Sequence, residues 1–178
     1  MNENKGKNWI SVITTSLIGI VLILALLLLL HLVFPPRTPP SIGSVEKSFD
    51  KYQEDIEHVV NFLIEEKYKS ILIRDSSGMM QADLQWMEIH EDNILDALNR
   101  LFALRDNMQI YKDGNTIKLL WWTHPQNISS SIAYSVNKTD LPDVQYATEI
   151  LPMSDDGWYY VIADYNAWRV ERYETSEE

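Results

Sequence analysis

The sequence predicts an α+β fold in which a single N-terminal transmembrane helix precedes one small domain with a mostly antiparallel β-sheet and two helices. Residues 8–36 contain no Asp, Glu, Lys or Arg, and two later segments place apolar residues at helical spacing. The remaining segments alternate apolar and polar residues and are separated by Asp, Ser and Gly. Helical segments followed by hairpin-linked strands are typical of helices packed on one face of an antiparallel sheet.

The apolar run divides the chain. We expect a short tail at 1–8, a transmembrane helix at 9–34, a Pro-rich linker at 35–43 and an acidic α+β domain at 44–178. As a helix, residues 10–30 would be ~31 Å long, which matches a hydrocarbon core of about 30 Å. The run exceeds the ~7–15 apolar residues of a cleaved signal peptide, so it predicts an uncleaved signal anchor of a single-pass cell membrane protein, with the lipid bilayer as a partner.

Charges and small residues around this run predict its orientation and pairing. Lys5 and Lys7 lie close to its N-terminal end and favour a cytoplasmic N-terminus with an extracytoplasmic domain. Ser11, Thr15 and Gly19 share one helix face at a small-xxx-small spacing. This spacing has two interpretations: a weak homodimer contact, or lipid-facing residues without a partner.

The composition excludes several classes of partner and site. Residues 1–40 hold three of the 15 basic and one of the 26 acidic residues, which leaves 12 against 25 and a net charge of −13 for the rest. Such a domain repels nucleic acid and anionic lipid headgroups. The chain has no cysteine, which excludes a disulfide framework, a thiol nucleophile and Cys-ligated zinc. We expect no metal and no cofactor.

Two segments of the acidic domain have helical periodicity. The first carries apolar residues at alternating spacings of four and three between Val45 and Leu63. This stripe suits packing on the domain's own sheet, and the alternative is a short parallel coiled coil with a second copy. The second helix is predicted from Asn93 onward, with Leu98 and Leu101 on its apolar face.

Strands are predicted where side chains alternate or where β-branched and aromatic residues cluster between turn residues. Asp113-Gly114 provides the strongest hairpin signal, because both residue types tolerate the positive φ of a tight turn. The predicted strands are 70–74, 80–86, 108–111, 116–123, 128–136, 145–151 and 158–163.

One cluster has residue types suited to acid–base chemistry. His90, Glu91 and Asp92 place an imidazole beside two carboxylates, and His124 follows a predicted strand. These residues predict a weak alternative site, that of a membrane-tethered hydrolase. The plainer interpretation is that acidic residues in the first turn of a helix face the positive end of its dipole.

Aromatic residues form the other candidate site. Trp121, Trp122, Trp158 and Tyr160 lie on two predicted strands, and an exposed aromatic patch is a common basis for binding a peptide, a glycan or a membrane protein. The alternative is a second layer that covers this face of the sheet, formed by the segment with Tyr165, Trp168 and Tyr173.

The absence of a recognisable catalytic motif favours contact over turnover. The sequence therefore predicts a non-enzymatic binding or accessory domain displayed at the extracytoplasmic membrane surface. The partner would be a membrane protein, a peptide or a wall glycan. The alternatives are the hydrolase described above and a structural subunit of a membrane complex.

Overall fold

The computed structural model describes residues 16–17, 19–26, 38–105, 107–125, 127–154 and 156–166. The chain divides into two compact units, Met1–Thr38 and Pro39–Glu178.

The membrane-spanning helix predicted at 9–34 is corrected by the structure. No helix in the described part of the chain is both long enough and apolar enough to cross a bilayer. Residues 16–17 and 19–26 are helical. The single-pass and signal-anchor assignments are therefore not retained.

Several related predictions lie outside the described residues. These include the remainder of the predicted span, Ser11 and Thr15 of the predicted homodimer contact, and Trp168 and Tyr173 of the predicted cover. Gly19 is helical, and a Cβ added to it would meet no other atom within 4 Å. The predicted location and orientation stay predictions.

One antiparallel sheet dominates the second unit. In the described residues it has eight strands, in the spatial order β3-β2-β1-β4-β5-β6-β8-β7. Two helices accompany it, in addition to the helical residues near the N-terminus. The elements are α1 (Ile42–Glu65), β1 (Ser70–Ile73), β2 (Met79–Ala82), β3 (Gln85–Glu88), α2 (Asp92–Phe102), β4 (Gln109–Asp113), β5 (Thr116–His124), β6 (Ile128–Ser135), β7 (Ala147–Pro152) and β8 (Trp158–Asp164).

Both helices of this unit contribute their apolar stripes to one core with the sheet. The α1 stripe from Val45 to Leu63 is buried, as the intramolecular interpretation of this helix requires. Phe49 packs against Trp158 of β8, with ring centroids 4.8 Å apart. Arg100 of α2 binds both carboxylate oxygens of Asp55 of α1 at 2.6–3.0 Å. We call this side of the sheet the helix face and the other side the open face.

A buried lysine caps the C-terminal end of α1. Lys112 of β4 donates from Nζ to the backbone oxygens of Leu63 and Glu66, both at 2.6 Å. Helices leave their last carbonyls without intrahelical partners, and a cation there also faces the negative end of the helix dipole. Burial lowers the pKa of Lys112, while the Glu66 and Asp83 carboxylates act in the opposite direction.

The open face is crossed by the segment that joins β6 to β7. Both strands are antiparallel to β8, which lies between them, so they run in the same direction and the connection must return along the sheet. Residues 136–146, the crossover segment, make this return, and the backbone N–H of Asp143 donates to Thr116 Oγ1 at 2.9 Å. Small side chains on β6 let the segment lie close to the sheet. The buried small residues that point to this face are Ser129, Ser131, Ala133 and Ser135.

Candidate functional site

A groove on the open face lies between the crossover segment and the parts of β4 and β5 that this segment leaves uncovered. It has two parts that share Tyr111, Lys118 and Tyr165. The crossover part has a volume of about 330 Å³ and is bounded by Asp143 and its neighbours. The strand-end part has a volume of about 400 Å³ and lies where β5 ends and β6 begins. Both volumes are within the usual range for small-molecule sites.

Strand register explains why these side chains meet. Tyr111 pairs with Lys118 across β4 and β5, so the two side chains emerge side by side on the open face. Tyr165 follows β8, and its backbone N–H donates to the Asn127 oxygen at 2.9 Å, which fixes its position. Its ring also packs edge-on against Tyr146 of the crossover segment, with centroids 5.8 Å apart.

Lys118 is the cation at the centre of the groove. Its Nζ lies 4.9 Å from the centroid of the Tyr111 ring and donates to the Tyr165 hydroxyl at 3.4 Å. Among the described residues it forms no ion pair with a carboxylate. An ammonium held by an aromatic face and a hydroxyl keeps its full charge available to an anion.

Tyrosine hydroxyls supply further polar groups. Tyr111 donates its hydroxyl hydrogen to Gln109 Oε1. Burial is the main reason that the pKa of Tyr111 is raised; the Tyr165 hydroxyl adds to the shift, and Arg74 opposes it. Tyr111 is therefore protonated at neutral pH and acts there as a neutral hydrogen-bonding group.

Ser129 has an unused hydroxyl in the strand-end part. The residue is 4% exposed, and its Oγ has no hydrogen-bond partner among the described residues. A buried hydroxyl without a partner costs about 1–3 kcal/mol. A ligand that hydrogen-bonds to Ser129 would recover part of this cost.

The two parts of the groove differ in charge. Asp113 and Asp143 line the crossover part. None of the described residues that line the strand-end part is acidic, although acidic residues outnumber basic ones by two to one in this domain. The residues specific to the strand-end part are Leu120, Thr123, His124, Asn127, Ile128 and Ser129. This lining combines positive charge and polar hydrogen-bonding groups with apolar walls.

The structure does not bring the four predicted aromatic residues together on an open surface. Trp121, Trp158 and Tyr160 are buried in the core on the helix face. Trp122 is half-buried and stacks on His124, with ring centroids 5.8 Å apart. Of the predicted covering segment, Tyr165 does lie over the open face, where the crossover segment is the larger cover.

The residues predicted for acid–base chemistry are separated, because His90 and His124 border two different clefts. His90 and Glu91 border a cleft beside β3 and the end of α1, and Asp92 begins α2. His124 lines the groove at the end of β5. The described residues contain no group of three or more His, Asp or Glu side chains placed to hold a metal ion.

Of the groove residues, sequence reasoning named His124 as a candidate and Tyr165 as part of a cover, but it missed Lys118, Tyr111 and Ser129. Lys118 shares one face of β5 with Thr116 and Leu120, and this face is opposite the core. The small residues on β6 were the second signal, because a strand that buries only Ser and Ala on one face must be covered by backbone. Neither signal identifies residues 136–146 as the segment that covers this face, so the groove beside it could not be predicted.

Comparisons with known proteins add no relative: no family model, curated protein or solved structure matches this chain.

Proposed function

We propose that this protein is a non-enzymatic binding protein whose groove holds a carboxylate group attached to an apolar body. The carboxylate pairs with Lys118 in the strand-end part, and the apolar body lies against Leu120, Ile128 and the Tyr111 ring. One observation carries the proposal. In a strongly acidic domain, the described lining of this part has a lysine without a carboxylate partner and no acidic residue.

Electrostatics support an anionic ligand over a cationic one. The surrounding net charge repels anions at long range, but screening over about 8–10 Å at physiological ionic strength leaves the local lysine dominant. Charge-assisted hydrogen bonds contribute about 1.5–3 kcal/mol. The hydroxyls of Ser129 and Tyr165 can donate to the second carboxylate oxygen or to a neighbouring acceptor on the ligand.

Octanoate is a suitable probe because it joins a carboxylate to a flexible apolar chain. Titration into the full-length protein should perturb the backbone amide signals of β4, the end of β5 and the start of β6. We expect Lys118→Met to weaken octanoate binding about tenfold or more, since 1.4 kcal/mol corresponds to a factor of ten. Lys47→Met, which removes an exposed lysine of α1, is the matched control and should leave the affinity unchanged.

Octanol separates the charge contribution from apolar burial. It has the same chain without the carboxylate, so we expect it to bind at least about tenfold more weakly than octanoate. Equal binding of octanoate to the wild type and to Lys118→Met, or signal changes confined to residues outside the groove, would contradict the proposal.

A further inference from the structure

In the second compact unit, exposed large apolar side chains are concentrated on one hairpin. Within the described residues from 38 to 166, four large apolar side chains are exposed, and three of them lie on the β2–β3 hairpin. These are Met79 (37% exposed), Leu84 (88%) and Trp86 (58%). Single exposed apolar residues are ordinary, but a cluster on one element indicates an interaction surface.

The same hairpin forms an edge of the sheet. Among the described strands β3 pairs only with β2, and the pair Ala82–Gln85 closes a two-residue turn at Asp83-Leu84. In such a hairpin the closing pair is hydrogen-bonded and bonded pairs alternate along the strands. Trp86 and Glu88 therefore point their backbone N–H and C=O groups away from β2, where another strand can pair with them.

An apolar cleft with an acidic rim runs beside this edge on the helix face. Its volume is about 440 Å³. Phe62 of α1 and Met87 of β3 form apolar walls, while Glu66, Glu88 and Glu91 lie around them. Neither Glu88 nor Glu91 forms an ion pair within the described part of the chain. The cleft fits an apolar side chain whose neighbours along the strand are cationic.

The opposite edge of the sheet has protective features that β3 lacks. β7 has a register shift between Ala147 and Glu149 and ends at Pro152. Bulges and prolines are common devices that prevent an edge from pairing with another chain. The β3 register is regular from Gln85 to Glu88 and contains no proline.

We propose that the outer edge of β3 binds an extended, basic segment of a partner protein, which adds a ninth strand to the sheet. Backbone hydrogen bonds to Trp86 and Glu88 hold the segment, and its alternate side chains enter the cleft or pack on the Trp86 ring. Charge complementarity selects a basic partner, because the cleft rim and the whole domain are acidic. This surface is separate from the groove and goes beyond the proposed function.

A short acetylated and amidated peptide of alternating lysine and valine tests the proposal on the full-length protein. Hydrogen–deuterium exchange should slow at the Trp86 and Glu88 amides when this peptide is added. A peptide with the same residues in two blocks, all lysines before all valines, controls for charge alone. We expect the block peptide to bind about tenfold more weakly and to leave both amides unprotected.

Two variants of one residue separate the backbone contact from the charge. Glu88→Pro removes an outward N–H, which an edge strand tolerates, and should lower the peptide affinity at least about tenfold. Glu88→Gln keeps that N–H and loses only the charge, so we expect a decrease of about two- to threefold. Thermal unfolding of both variants confirms that they fold.

Three results would overturn the proposal. The first is wild-type protein in which the alternating peptide protects neither amide. The second is a folded Glu88→Pro variant that binds as tightly as Glu88→Gln. The third is protection of both amides without peptide at high protein concentration together with a dimeric mass, which would identify a second copy of this chain as the occupant.

Discussion

Tyr160, one of the four candidates for an exposed aromatic patch, is part of the core. Its ring is buried, and its hydroxyl donates to the backbone oxygen of Pro40 at 2.6 Å. The alternation of Trp158, Tyr159 and Tyr160 places the first and third on one face, and the burial pattern of β8 agrees with this. The sequence alone could not show that this face is the one covered by α1.

Tyr160→Phe should have an effect that depends on pH. At neutral pH we expect the variant to lose about 1 kcal/mol of unfolding free energy, because the Pro40 oxygen loses its donor. Burial raises the pKa of Tyr160 above its ordinary value of 10.0. The wild type therefore has its full stability below pH 10 and loses the Tyr160 contribution as the pH rises toward the raised folded-state pKa.

Phenylalanine cannot ionise, so the difference in stability between the wild type and Tyr160→Phe should narrow above about pH 10. Urea unfolding at about pH 8 and pH 11 measures this difference. The role given to the Tyr160 hydroxyl is wrong if the difference is the same at both pH values. Tyr111, whose pKa is also raised, is present in both proteins and cancels in the comparison.

Among the elements, the β2–β3 hairpin departs most from the sequence prediction. The alternation of Met80, Ala82, Leu84 and Trp86 predicts one continuous strand over 80–86. The structure breaks this segment at Asp83 and Leu84, which have φ angles of 44° and 71°. Asp83 is a residue type that tolerates positive φ, but Leu84 is not, so the local turn signal was incomplete and pairing across the hairpin decides the conformation.

Leu84→Gly should stabilise the fold. A leucine at positive φ pays about 1–2 kcal/mol of backbone strain, and its side chain is almost fully exposed. Glycine removes that strain but has a more disordered unfolded state, so we expect a net gain of about 0.5–1 kcal/mol in unfolding free energy. Chemical denaturation measures the gain, and a loss of stability would show that the Leu84 side chain makes a stabilising contact.

A β-bulge interrupts the alternation of side chains at the two tryptophans of β5. Strict alternation predicts that Trp121 and Trp122 point to opposite faces. The register between β5 and β6 shifts between Leu120 and Trp122, so alternation breaks there. Trp121 enters the core near Arg105, whose guanidinium lies 5.1 Å from its ring centroid. Bulges depend on the partner strand, which a single strand's sequence does not reveal.

At the scale of the whole molecule, helices on one face of an antiparallel sheet could be anticipated from periodicity. The open-face groove could not, because it depends on the crossover segment. The predicted strands end at 136 and resume at 145, and the residues between them give no indication of the path that the chain takes. That path follows from β8 lying between β6 and β7, an order that no local pattern encodes.

Two fragments test where the folded domain begins. The compact unit starts at Pro39, whereas the predicted domain starts at residue 44. A fragment of 39–178 keeps the Pro40 oxygen that accepts from Tyr160 and the first turn of α1. We expect it to unfold cooperatively and to be about 1–3 kcal/mol more stable than a fragment of 44–178, since the shorter fragment loses this acceptor and part of the helix. Equal urea midpoints would contradict this expectation.

The position of β8 has a consequence for how the domain folds during translation. Phe49, near the beginning of the domain, packs on Trp158 near its end, and β7 finds its only described neighbour in β8. A polypeptide still attached to the ribosome before residue 158 has been made lacks the strand on which both contacts depend. Completion of the core must therefore await the synthesis of β8, and products terminated before it expose the flanks of β6 and β7 to chaperones and proteases.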